Sequence, residues 1–208
     1  MEYYPIFLDL KGRPCLVVGG GAVAERKVEK LLEAGAEVTV ISPTVNGRFR
    51  AWAESQQICH KARAYEFGDL APFPLAFVAT DDASVNAAVK REGEERGVWV
   101  NVADDPAQCD FILPSVLQRG ELVVAVASGG SSPALSRAIR EELEHYFTED
   151  YATLSEIVAE VRREIREQGL SAGPEIWREA LNGEGLRKLV QQGDIEGAKR
   201  YLRERVSA

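Results

Sequence analysis

Histidine is almost missing from this chain: His60 and His145 are the only two in 208 residues. Neither stands at motif spacing from a partner, which argues against a Ser-His-Asp triad and against a His-rich metal centre, so no metal ligands are assigned. Cysteine is scarce as well. Cys15, Cys59 and Cys109 are isolated, with no CxxC pair, so neither a disulfide framework nor a zinc site is indicated and a reducing compartment is expected. Long apolar runs are absent, and the opening Met1-Glu2-Tyr3-Tyr4-Pro5 lacks the basic start and apolar core of a leader. The expectation is a soluble, cytoplasmic protein with no membrane association. Positive charge is in deficit too: 25 Lys and Arg against 33 Asp and Glu leave a formal net charge of -8. No broad basic field exists to hold nucleic acid or an anionic membrane, though a local basic cluster can still grip a small anion.

With 45% hydrophobic residues, the chain can bury one α/β core and a smaller appendage. The most informative stretch is Cys15 to Ala24, where an apolar run enters a glycine cluster. Leu16 to Val18 read as a buried parallel strand, and Ala24, Val28, Leu31 and Leu32 recur at helical spacing. Gly19 and Gly21 occupy the first two places of a G-x-G-x-x-G/A fingerprint and Ala24 the third, as in a dinucleotide-binding turn. The unpaired N–H groups that open the helix would face a pyrophosphate. The alternative is a glycine turn that only packs helix on sheet. Gly35 ends the helix and Glu37 to Ser42 follows as a second strand, which completes a βαβ unit. The acid expected about 20 residues on, for the ribose, is replaced by Ser42-Pro43-Thr44, so a hydroxyl or backbone contact must serve instead. With no Arg directly after Ser42, NAD is favoured over NADP.

Further along, Tyr4 to Leu8 is expected to pack on the sheet edge, Thr44 to Gln57 to form a helix, and Ile58 to Tyr65 a third strand. Leu75 to Thr80 and Val98 to Val102 read as buried strands. Asp81 or Asp82 caps the helix after the first of these, and Thr80 and Asp81 stand where open α/β sheets bind ligands. Parallel winding then stops. Phe111 to Gln118 and Glu121 to Ser128 are strand-like and separated only by Arg119-Gly120, a hairpin spacing. Ser132-Pro133 opens a helix striped by Ala134, Leu135, Ala138, Ile139 and Leu143. After Thr148 the chain turns charged and helical, with breaks at Gly169 to Pro174. The expected fold is α/β: a Rossmann-like parallel sheet over residues 1–112, a hairpin and helix segment for dimerisation over 113–147, and a helical domain over 148–208.

Two acidic positions follow the strand at Val98 to Val102. Strand alternation would send only one of Asp104 and Asp105 into the cleft; Asp105, before Pro106, suits a turn, which leaves Asp104 as the catalytic candidate beside an equally open turn-forming reading. Ser128, Gly129 and Ser132 form a second cluster of donors ahead of a helix, with Arg137 and Arg140 beyond it. They suit a substrate carboxylate, or an ordinary helix cap.

The chain resembles the precorrin-2 dehydrogenase/sirohydrochlorin ferrochelatase family of siroheme synthesis. The resemblance lies in Pro5-Ile6-Phe7, Val17-Val18-Gly19-Gly20-Gly21-x-Val23-Ala24-x-Arg26-Lys27, Leu32-x-Ala34-Gly35-Ala36, Ala79-Thr80-Asp81-Asp82, Asn101-Val102-x-Asp104, Phe111-Ile112-x-Pro114-Ser115 and Ala127-Ser128-Gly129-Gly130-x-Ser132-Pro133. It implies NAD-dependent oxidation of the tetrapyrrole precorrin-2 to sirohydrochlorin, often followed by insertion of Fe²⁺ as a substrate. It also implies a homodimer with the segment after the Rossmann part exchanged, nucleotide contacts at Ala22, Val23, Pro43 and Thr44, Asp104 as the key acid, and no appended methyltransferase domain. The competing readings are a dehydrogenase without chelatase activity and a non-catalytic NAD-sensing module.

Overall fold

A computed structural model describes residues 3–206. The chain folds into two compact units that meet in sequence between Leu113 and Pro114. The hairpin and the charged helices, expected as separate segments over 113–147 and 148–208, lie together in the second unit.

In the first unit, β1 (Pro14–Val18), α1 (Ala22–Glu33), β2 (Glu37–Ile41), α2 (Gly47–Glu54), β3 (Ile58–Lys61), β4 (Leu75–Val78), α3 (Ala83–Arg96) and β5 (Trp99–Val102) follow in order. The strands form one sheet in the order β3-β2-β1-β4-β5 with every pairing parallel. Alternation along β1 explains its unbroken apolar run. Cys15 and Val17 enter the core on one side with Val28, Phe49 and Phe77, whereas Leu16 and Val18 enter the core on the other with Val89 and Val100. A strand covered on both faces has no polar positions to spare.

Several element ends differ from expectation for local reasons. Helix α2 starts late because the Asn46 carboxamide accepts from the N–H groups of Arg48 and Phe49, at 3.0 and 3.3 Å, and so caps it there. Tyr4 to Leu8 does not pack on the sheet: Tyr4 is 86% and Phe7 73% exposed, and Pro5 has no N–H for a ladder. The outer edge of β5 is closed by the chain that follows it. Asp110 donates its N–H to the Val100 carbonyl and accepts the Val100 N–H on its carboxylate. The Val102 N–H goes to the Cys109 sulfur at 3.2 Å. Those ladder groups, open on an ordinary edge strand, are therefore occupied.

The second unit begins with β6 (Ser115–Arg119) and β7 (Leu122–Val126), antiparallel, followed by α4 (Pro133–Tyr146). Both strands are shorter than expected. Phe111 instead packs its ring edge-on against Phe77 in the first unit. Because Arg119 pairs with Leu122, the turn is Gly120-Glu121 rather than Arg119-Gly120, with Gly120 at the positive φ that the first place of a type II′ turn requires. Then α5 (Asp150–Glu167), α6 (Pro174–Asn182), α7 (Glu184–Gln191) and α8 (Ile195–Val206) bury Ile157, Val161, Leu186 and Leu202 in a core of their own. Glu160 with Lys199 and Glu164 with Arg203 tie α5 to α8. Among the described residues no helix is long and apolar enough to cross a membrane.

Candidate active site

Parallel strands bring the loops after β1, β2, β4 and β5 to one edge of the sheet. The order reverses between β1 and β4, and a crevice opens at such a switch point. The loop after β1 carries the glycines. Gly19 has φ +124, and a Cβ there would stand 2.1 Å from the Ala79 carbonyl oxygen, so this glycine allows β1 and β4 to end close together. Gly20, passed over by the fingerprint, is equally constrained: its Cβ would meet the Thr44 carbonyl oxygen at 2.1 Å and the Ser42 hydroxyl at 2.8 Å. Gly21 is different. Among the described residues no atom beyond its own chain neighbours lies within 4 Å of where its Cβ would be, and it stands at the start of α1 with no side-chain cap.

The opening N–H groups of α1, those of Ala22 and Val23 among them, thus lack intrahelical acceptors and border open space. A pyrophosphate fits this donor set, which combines backbone N–H groups with the positive end of a twelve-residue helix. Ser42 does not aim its hydroxyl at a ribose. It is buried and donates to the Thr44 carbonyl at 2.7 Å, folding Pro43 and Thr44 over the glycine turn. Arg48, the first basic residue after Thr44, is held by Glu25 and Glu29.

After β4, Thr80 exchanges hydrogen bonds with Asn86, and Asp82 caps α3 by accepting from Ser84 and Val85. That leaves Asp81 exposed and free of the capping role. After β5, Asp104 and Asp105 stand in different settings. The strand ends at Val102, so the pleat does not separate them. Asp104 itself takes a left-handed backbone, φ +61, which side-chain-bearing residues adopt rarely and Asp more readily than most. Its side chain is exposed. Asp105 heads the short turn Pro106–Gln108 and accepts from the Gln108 carboxamide at 2.5 Å.

Two residues that carried no assigned role stand beside Asp104. Asn101 is buried in β5, and its Oδ1 accepts from the Lys27 ammonium at 3.2 Å. Lys27 reaches across from α1 with its ammonium 5.5 Å from the centre of the Phe77 ring. Burial pushes the Lys27 pKa below the usual lysine range, while Cys109 and Asp104 draw it back up. A lysine at the helical position six after the glycine turn was visible in the sequence, yet its contact with a strand residue 74 positions away was not.

Ser128, Gly129, Ser132, Arg137 and Arg140 belong to the second unit. The Ser128 hydroxyl donates to the Ser132 carbonyl and accepts from the Ser132 N–H, and Ser132 caps α4 on the Leu135 N–H. Those hydroxyls are spent on the turn, which is the ordinary-cap alternative. Arg140 is held by Glu141 and Glu144, whereas Arg137 is 75% exposed with one long pair to Glu141. Both histidines bond to backbone carbonyls, His60 to Ser42 and His145 to Glu141.

The family model described as "Putative NAD(P)-binding" matches residues 6–115. A siroheme synthase of Photobacterium profundum is 42% identical over 97% of this chain, and one of Nitrosococcus oceani 41% identical over 95%. The chain spans 43% of the length of each of these relatives. Among solved structures, SirC, a precorrin-2 dehydrogenase, superposes with a TM-score of 0.79 at 31% identity, covering 95% of this chain and 99% of its own. A glycine turn open to a pyrophosphate, a strained aspartate at the same sheet edge, and a match over the whole of a solved relative lead to one assignment: the chain belongs to the precorrin-2 dehydrogenase family of NAD(P)-binding proteins.

Proposed function

We propose that this protein oxidises precorrin-2 to sirohydrochlorin, with NAD taking the hydride. The observation that carries the reading is Asp104, an exposed carboxylate on left-handed backbone at the sheet edge that also holds the glycine turn. NAD, when bound, supplies the hydride acceptor. The chain's own part is to bind, orient and move a proton. Ala22 and Val23 present N–H groups to the pyrophosphate, and Pro43 and Thr44 meet the adenosine side. With no acid and no free Arg in the Ser42-Pro43-Thr44 turn, NAD is the nucleotide it suits.

Loss of a hydride from the macrocycle leaves a proton to be taken up, and Asp104 accepts it. The substrate's many carboxylates meet basic groups, for which Arg137 is the freer of the two arginines on α4. Insertion of Fe²⁺, a substrate of the second reaction, displaces protons from pyrrole nitrogens, and the same carboxylate accepts these too. The hairpin and α4 complete themselves against a second copy of the chain.

Anaerobic incubation with precorrin-2 and NAD, followed by Fe²⁺, tests the reading by absorbance. Conversion in the first step is expected. NAD binding without turnover would favour a sensing module, and turnover without metal insertion a dehydrogenase alone. Asp104→Ala is expected to keep NAD binding while losing at least about 100-fold in oxidation rate, and chelation should fall to the uncatalysed rate. Asp105→Ala, whose carboxylate only holds Gln108, keeps most activity. Equal behaviour of the two variants would overturn the role of Asp104.

A further inference from the structure

A left-handed backbone at a residue with a side chain persists only where the surroundings hold it. The surroundings of Asp104 can be followed bond by bond. Asn101 donates through Nδ2 to the Phe111 carbonyl at 3.0 Å and to the Cys109 sulfur at 3.4 Å. It therefore ties the far end of the Asp104 loop back to the strand from which the loop departs. The Cys109 sulfur also accepts the Val102 N–H at 3.2 Å, and the thiol lies within donating reach of the Val102 and Asp105 carbonyls, at 3.1 and 3.3 Å.

The direction of the Asn101 amide decides whether these bonds form. An amide can turn over, and its oxygen facing Phe111 would set two acceptors against each other. Lys27 prevents that. Its ammonium donates to Oδ1 at 3.2 Å, so the oxygen is taken and Nδ2 must face the loop. A half-buried lysine spent on an amide oxygen rather than a carboxylate makes sense as an orienting device.

We propose that Asn101 is a positioning residue for Asp104, with its amide held in direction by Lys27, so that this pair sets the oxidation rate through the Asp104 loop. The inference rests on Asp104 as the proton acceptor. A group aimed by its neighbours loses rate steeply when they are removed, because misplacement by about 1 Å can cost on the order of 100-fold.

The test combines steady-state kinetics with a double-mutant cycle. Lys27→Met keeps an unbranched apolar chain and removes the donor. It is expected to lower kcat for precorrin-2 oxidation by about 10- to 100-fold, with KM for NAD and the NAD-induced rise in Tm unchanged. Lys27→Arg should restore most of the loss. Asn101→Asp, which can still pair with Lys27 but cannot donate to Phe111, should lower kcat in the same way. In an Asp104→Ala background, Lys27→Met should change the residual rate by less than about twofold, because nothing remains to be positioned. Full kcat in both Lys27→Met and Asn101→Asp would overturn the proposal, as would an equal loss in both backgrounds or a loss that tracks NAD binding. Wild-type activity in Asp104→Ala alone would overturn the reading of Asp104 itself, and this proposal with it.

Discussion

Single residues divide the glycine turn into two tasks that look alike in sequence. Gly19 and Gly20 are glycine because protein atoms stand 2.1 Å from where a Cβ would be, whereas Gly21 is glycine beside open space. Substitutions should separate them. Gly19→Ala, at positive φ and against the Ala79 carbonyl, is expected to destabilise the fold by more than about 1 kcal/mol. Gly21→Val, at the start of α1, should cost within about 1 kcal/mol yet abolish the rise in Tm on adding NAD. Thermal melts with and without NAD check both, and an undiminished NAD shift in Gly21→Val would count against the turn as the nucleotide site. The fingerprint marked Gly19 and Gly21 by spacing. It could not mark Gly20, whose close neighbours Ser42, Thr44 and Val45 lie more than 20 residues on. Asp104 was legible as one of an adjacent pair, but its left-handed backbone was not, and neither were the bonds of Asn101, Cys109 and Phe111 in the same loop, which join residues that local spacing does not connect.

Among the elements, α3 depends on an acid that faces inward. Glu92 is fully buried and accepts from the Tyr65 hydroxyl at 2.6 Å, the Gly68 N–H at 2.8 Å and the Arg96 guanidinium at 2.7 Å. Burial pushes its pKa up, but these hydrogen bonds and the Arg96 charge together outweigh burial and hold it below the usual carboxylate value of 4.5. They anchor the loop between β3 and β4 to the helix. A depressed folded pKa means stability that is present above the unfolded value and lost as pH falls through the folded one. Glu92→Gln is therefore expected to cost about 3 kcal/mol near neutral pH, with the gap to the parent protein narrowing on acidification below about pH 4.5. Urea unfolding from neutral pH down through that range measures it; a pH-independent gap would mean that folding leaves the Glu92 pKa unshifted, and a gap that widens on acidification that the acid is buried uncharged. Strands were the most legible elements, because a sheet covered on both faces writes itself as apolar runs. Hairpin ends were less so: Phe111 is apolar enough for a strand, yet its ring belongs with Phe77.

At the scale of the whole molecule, apolar surface remains uncovered on β6 and α4, where Val116 is 48%, Leu135 53% and Tyr146 59% exposed. A two-stranded hairpin with such a surface is poorly stable alone. The proposed homodimer would cover it, and sedimentation at micromolar concentration is expected to give a dimer that Leu135→Glu splits; a monomeric parent protein would overturn it. Another consequence concerns the order in which the chain is made. The groups that close the outer edge of β5, Cys109 and Asp110, follow it in sequence, and the loop they anchor carries Asp104. While a ribosome is still making this chain, all five strands emerge before the residues that cover the last of them. For about a second, until Asp110 is free, the nascent protein therefore presents a naked strand able to pair with its neighbours on the same polysome, so translation speed through residues 103 to 111 should affect the yield of native protein.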